Sequence, residues 1–242
     1  MLSLLSKERL ARATVTSQNN GAPASLFSTS PWCWDVTLVS PCAYTRKGWE
    51  MLFSEPAMAG TLSGVTIVDS VDALPPHASC PEQTSPCSLA RSLIVHLPPF
   101  PLAALLFLLQ LGGGKTCLTH YHQLIVCSPF PRGVTRTALM GTGIPGVVHI
   151  VPGRQSLAAL YRTAMMPSPE TFLHAHGKRN DLPCRLTPTE RRVLQQSLCE
   201  VSVHWQAKLN FVSTKTIYTH RRNALAKFGC RSVMDLLKMF SA

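Results

Sequence analysis

Acidic residues are scarce in this chain, and over one long stretch they are missing. Between Glu82 and Glu170 there is no Asp or Glu, while Arg91, Lys115, Arg132, Arg136, Arg154 and Arg162 fall inside the same stretch. Chemistry that needs a carboxylate there is excluded, whether as a general base, a phosphoacceptor or a hard-cation ligand. Charged residues make up only 14% of the 242, yet 45% are hydrophobic, so wholesale disorder is excluded as well. No CxxC spacing occurs among the nine cysteines. They read as reduced, mostly buried thiols rather than a disulfide framework. The pairs His120/His122 and His174/His176 have no cysteine pair beside them, so no metal site is expected. No apolar run reaches the roughly 20 residues of a membrane span. The longest, Pro98 to Leu111, opens on prolines and reads as a buried helix. Residues 1–20 lack the continuous apolar segment of an export signal. These absences lead to the expectation of a cytoplasmic protein with no membrane partner.

What is present is positive charge, unevenly placed. The formal net charge is +11. Residues 181–242 carry net +6 in 62 residues, against net +5 in the 180 before them. A basic excess concentrated in this way points to a polyanionic partner, nucleic acid first.

Along the chain, residues 1–34 are polar and read as an extension with little order. From Asp35 short apolar runs alternate with helical stretches. The runs are 35–40, 65–68, 92–95, 123–126 and 147–151. The helices are expected at 43–53, 101–111, around 134–140, and 156–165. Continuous apolar strands separated by helices predict a five-stranded, doubly wound parallel α/β sheet covered on both faces. Residues 71–90 contain four prolines and cannot hold a long helix. The domain is expected to cover 35–166, with 167–184 as a linker.

Residues 185–242 read as an all-α module of four short helices. Thr187 is an N-cap, Pro188 the first helical residue, and Glu190 closes a capping box. A short second helix holds Trp205 and Leu209, Ser213 opens a third, and Ser232 with Asp235 opens a fourth. In the third helix Ile217, Ala224, Leu225 and Phe228 share one face. Lys215, Tyr218, Thr219, Arg222 and Ala226 share the opposite one, flanked by His220, Arg221 and Lys227, and the helix has no acid. Donors for base edges, cations for phosphates and no repelling carboxylate suit a helix in a major groove.

The run LTPTERRVL, followed by a helix and by VSTKTIYTHRRNALAKFGCRS, resembles the LuxR/FixJ-type helix-turn-helix of bacterial transcription regulators. The matching residues are Leu186, Thr187, Glu190, Val193 and Leu194; Ser213, Thr216, Ile217 and His220; and Lys227, Phe228 and Gly229. Three departures stand out. Val201 replaces a small residue, Trp205-Gln206 replaces an Ile-Ala pair, and the turn between Leu209 and Ser213 is one residue longer than usual. The resemblance implies a DNA-binding regulator. Tyr218, Thr219 and Arg222 would touch bases, and Ser213, Lys215, Thr216, His220 and Lys227 would hold phosphates. The last helix, Ser232 to Phe240, lies where many family members dimerise; its Val233, Leu236, Leu237 and Phe240 suit a dimer contact or the core equally.

The upstream domain resembles a response-regulator receiver, and VTLVSPCAYTRKGWEML is similar to the first strand and helix of the Rcs-type regulators. A working receiver needs an acidic pair, an Asp phosphoacceptor, a hydroxyl and a Lys at the ends of its strands. Here Ser40-Pro41, His96, Ser128 and Pro152 fall near those places. The resemblance therefore implies regulation without phosphorylation, as a homodimer or paired with a second LuxR-type regulator. Double-stranded DNA is the implied partner, and RNA polymerase a further one. Two rivals are a regulator that titrates a partner factor and a regulator that senses a ligand. The segment Gly112-Gly113-Gly114-Lys115-Thr116 resembles a phosphate-binding loop, but the pattern needs glycine where Leu109 stands and a preceding strand. No nucleophile–base arrangement suggests catalysis, and no cofactor is implied.

Overall fold

The computed structural model describes residues 33–55, 62–74, 89–113, 118, 121–144, 148–165 and 185–241. The expected extension before Cys33, the linker, Gly114-Lys115-Thr116, and His120, His174 and His176 lie outside the described residues.

The N-terminal domain runs β1 (Cys33–Val39), α1 (Ala43–Phe53), β2 (Leu62–Val68), β3 (Leu89–His96), α2 (Pro101–Leu111), β4 (Gln123–Ser128), α3 (Arg132–Thr142), β5 (Val148–Pro152) and α4 (Leu157–Met165). The strands are all parallel and lie in the order β2-β1-β3-β4-β5. This is the doubly wound order shared by flavodoxin and chemotaxis receivers, so the expected architecture holds. Central strands are apolar throughout because both of their faces are covered; all six residues of β4 are buried. Alternate residues serve opposite faces. Ile94 and Ile125 pack with Trp49 and Phe53 of α1, whereas Leu93, Val95, Leu124 and Val126 pack with Leu105 and Leu108 of α2.

Three strands begin earlier than their apolar runs suggest, β3 at Leu89 rather than Ser92. β2 is an edge strand with alternating exposure from Leu62, so its first residues need not be apolar. β1 begins at Cys33, and Trp34 is 1% exposed within the α1-side core, so it belongs to the domain rather than to an extension. Burial of the thiols is also less general than expected. Cys127 is buried and its thiol is pushed up to about 12 by desolvation, but Cys42 and Cys199 are exposed.

The C-terminal domain is α5 (Pro188–Leu198), α6 (Val203–Asn210), α7 (Thr214–Lys227) and α8 (Val233–Met239). It does not stand apart. Leu186, Leu194, Leu198, Ala224, Leu225, Phe228, Leu236 and Phe240 share one buried cluster with α2 and α3. The Phe130 ring meets Phe240 edge-on at 5.0 Å. The end of α3 is the seat: the Leu186 amide donates to the Gly141 carbonyl (3.2 Å) and Arg191 Nη2 to the Thr142 carbonyl (3.0 Å). A side chain at Gly141 would run into the Phe228 ring. Gly143 ends α3 in the left-handed conformation (φ 75°) with Arg185 packed over it. The apolar side of α8 therefore serves as core: Leu236 is fully buried and Phe240 nearly so.

Candidate nucleic-acid interface

The interface begins with a well-fastened first helix. Thr187 Oγ1 accepts from the Glu190 amide (3.3 Å) and Glu190 Oε2 accepts from the Thr187 amide (2.8 Å), completing the expected capping box. The same Oε2 also receives Lys227 Nζ at 2.6 Å, and that ammonium donates in addition to the Arg185 carbonyl at 2.8 Å. Burial would raise the Glu190 pKa, but the hydrogen bonds from Lys227 and Thr187 outweigh it and hold the carboxyl below its ordinary value. Lys227 thus ties the end of α7 to the start of α5. Its charge is paired within the fold.

The chain turns out of α5 at Glu200, whose left-handed backbone (φ 59°) lets the Val201 amide bond the Gln196 carbonyl at 2.9 Å. A small residue is therefore not required at Val201, because the turn is made one residue earlier. α6 starts on Ser202, which caps the Trp205 amide. The Trp205-Gln206 departure resolves into two opposite roles. Trp205 points outward, 54% exposed, with Lys208 Nζ 5.9 Å from its ring centre. Gln206 is fully buried and donates to the Val201 carbonyl (2.7 Å) and Ser197 Oγ (3.3 Å), sewing α6 to the turn before it. The longer turn is absorbed by Phe211, left-handed at φ 54°, with the Val212 amide reaching back to the Ala207 carbonyl at 3.1 Å. A bulky residue in this conformation is uncommon.

α7 then presents the two faces read from its sequence. Ile217, Ala224, Leu225 and the following Phe228 are buried, Ile217 against Val193 and Ala207. Lys215, Tyr218, Thr219, Arg222 and Ala226 are exposed, with His220, Arg221 and Lys227 half-buried on the flanks. Ser213 caps the helix, its Oγ accepting from the Thr216 amide (3.1 Å) and lying 2.8 Å from Thr216 Oγ1. The Thr219 hydroxyl donates to the Lys215 carbonyl at 3.0 Å, which leaves its oxygen as an acceptor. Of the eight residues expected at DNA, six lie on the exposed side of α7 or at its N-terminus, and His220 and Lys227 lie on its half-buried flanks, Lys227 with its ammonium on Glu190.

Residues 185–240 match the family described as bacterial regulatory proteins, luxR family. These residues form a luxR-family regulatory domain. It is of the DNA-binding helix-turn-helix kind, with α6 and α7 as the pair and Phe211 in the turn. No curated protein matches the chain. Among solved structures, RcsB from Salmonella enterica serovar Typhimurium bound to promoter rprA is 20% identical, with a TM-score of 0.46, over 87% of this chain and 99% of that one. Full-length FixJ from B. japonicum is 16% identical, with a TM-score of 0.35, over 85% and 94%. ChrA, a response regulator of a heme-sensing two-component system, is 15% identical, with a TM-score of 0.33, over 86% and 96%.

Ahead of the luxR-family domain, the four receiver positions do converge on the carboxyl edge of the sheet. Ser40-Pro41 follow β1, His96 ends β3, Ser128 ends β4 and Pro152 ends β5. Ser128 is buried, its Oγ 2.7 Å from Thr135 Oγ1 and accepting from the Phe130 amide at 3.1 Å. Desolvation holds the His96 imidazole below its usual pKa, so it is neutral near pH 7. None of the four positions supplies a carboxylate.

Proposed function

We propose that the chain is a bacterial, sequence-specific transcription regulator that binds double-stranded DNA and works without phosphorylation. The observation that carries this reading is the outer face of α7: exposed, free of acid, and held on a buried inner face behind a short helix and a tight turn. Arg222, Tyr218 and Thr219 read base edges, Arg222 through the paired donors of its guanidinium. Ser213, Lys215, Thr216 and His220 hold phosphates, and the free amides at the start of α7 assist them. Each phosphate neutralised releases counterions, so affinity falls steeply with salt. Two such helices enter successive major grooves about one helical turn apart.

Phosphorylation independence is supported by the absence of a carboxylate at the four receiver positions. Exposure to acetyl phosphate, followed by intact-mass measurement, is expected to show no added phosphoryl group. Dimerisation, as a homodimer or with a second LuxR-type regulator, is part of the proposal. Pairing through the apolar side of α8 requires the two domains to part, since Leu236 and Phe240 are buried against the N-terminal domain. Native mass spectrometry of the chain alone and mixed with such a regulator decides between these states. RNA polymerase is a further partner, and the cytoplasm the site of action; among the described residues no helix is long and apolar enough to cross a membrane.

The direct test is selection of bound duplexes from a random pool by the full chain. A recovered sequence motif is expected; recovery of unrelated sequences, or of none, would overturn the reading. One observation favours a second reading, a regulator that also senses a small ligand: the cavity at the carboxyl edge of the sheet.

A further inference from the structure

That cavity, about 1320 Å³, opens where β1, β3, β4 and β5 end. In a sheet of order β2-β1-β3-β4-β5 the chain reverses direction between β1 and β3, and ligands of doubly wound folds bind in the crevice at this point. Here it is positive: Arg132 at the start of α3 and Arg154 after β5 line it, both exposed, and no lining residue is acidic. No carboxylate among the described residues pairs with either arginine.

The remaining walls have two characters. On one side α3 follows Pro131, which carries no acceptor to cap the first amides of the helix, so these donors are open to a ligand. On the other side Leu97, Pro98, Pro99 and the exposed Phe100 ring form an apolar wall. The Cys42 thiol of the lining is held below its ordinary pKa by hydrogen bonds from Thr45, with Tyr44 and Arg46 contributing.

We infer that the cavity binds a small organic phosphate, its phosphate held by Arg132 and Arg154 at the start of α3 and its body, of nucleotide size, resting on Phe100 and the prolines. Guanidinium forks and backbone amides together match a phosphate dianion better than a single carboxylate. A cavity of this volume exceeds what inorganic phosphate fills and suits a molecule of some tens of atoms. Phe130 also lines it and packs edge-on against Phe240, so an occupant touches the loop on which the C-terminal domain rests.

The test is isothermal titration of the full chain with adenosine 5′-monophosphate, inorganic phosphate and adenosine, each at equal ionic strength in chloride. Saturable binding of the monophosphate is expected, weaker binding of inorganic phosphate, and none of adenosine. The Arg132→Ala/Arg154→Ala double variant should lose about tenfold or more in affinity while its far-ultraviolet circular dichroism stays unchanged. Arg222→Ala should bind the monophosphate as the parent does, which separates this site from the recognition helix. Absence of binding by both phosphate probes, binding undiminished in the double variant, or loss of binding in Arg222→Ala would overturn the inference. Adenosine binding as well as its monophosphate would overturn the role of the phosphate, and inorganic phosphate binding equally well would overturn the role of the apolar wall.

Discussion

Among the described residues, two basic surfaces carry no acid, one convex and one concave. On α7 the cations stand on the ridge of a helix, with Lys215, Tyr218 and Arg222 projecting outward. At the carboxyl edge of the sheet, Arg132 and Arg154 border a cavity with an apolar wall. Charge of one sign selects an anion in both places, and shape selects which. A ridge the width of a helix fits the major groove of a duplex, whereas a cavity excludes a duplex and admits a small molecule. Net charge read along the chain cannot separate the two, because it records sign and not curvature.

The comparison is broken most severely by removing the shared core beneath both surfaces. Leu236→Ala should cost about 2–5 kcal/mol, because the side chain is fully buried between α8 and the N-terminal domain. Denaturant unfolding followed by circular dichroism and by tryptophan fluorescence should show both probes shifting together. A shift confined to one probe would mean that the domains unfold apart.

A smaller effect, about 1–3 kcal/mol, is expected of Glu190→Gln, which leaves Lys227 without its charge partner. The pH dependence has a definite sign. The folded-state pKa of Glu190 lies below the ordinary carboxylate value, so its contribution is complete above that ordinary value and is lost as pH falls through the folded one. The parent should therefore lose stability on acidification below about pH 4.5 by an amount the Gln variant does not; equal slopes would contradict the pairing. Lys227→Ala should likewise lose stability while the salt dependence of DNA binding stays the same. That outcome sharpens the difference between a cation that faces DNA and one that fastens the domain.

The smallest effect belongs to an exposed phosphate contact. Lys215→Ala should leave the melting temperature unchanged and reduce the slope of log affinity against log salt by about 1. An unchanged slope would remove Lys215 from the interface.

Legibility in the sequence followed the range of the interactions. The central strands were readable because burial on both faces makes them apolar throughout, as in Leu124-Ile125-Val126, and helix starts were readable because Thr187, Ser213 and Ser232 carry their own capping chemistry. The inner and outer faces of α7 were readable because they depend on helical spacing alone. Features set by distant partners were not. The seat of Phe228 on Gly141 joins residues far apart in the chain, and nothing local marks it. Gln206 as a buried tie, and Lys227 as the partner of Glu190, depend on which way a side chain turns in the folded domain. The left-handed Phe211 left one trace, the extra residue in the turn, and the cavity left another, the missing acids. The spacing of Gly141 and Gly143 at the end of α3 was a stop signal that could have been used.

Reading of base sequence by α7 is tested by Arg222→Ala. Fluorescence anisotropy of parent and variant on the selected duplex and on a scrambled one gives the specificity ratio of each. A loss of about 1–3 kcal/mol is expected on the selected duplex with little change on the scrambled one, so that the ratio collapses. An unchanged ratio, with affinity intact on both duplexes, would contradict it.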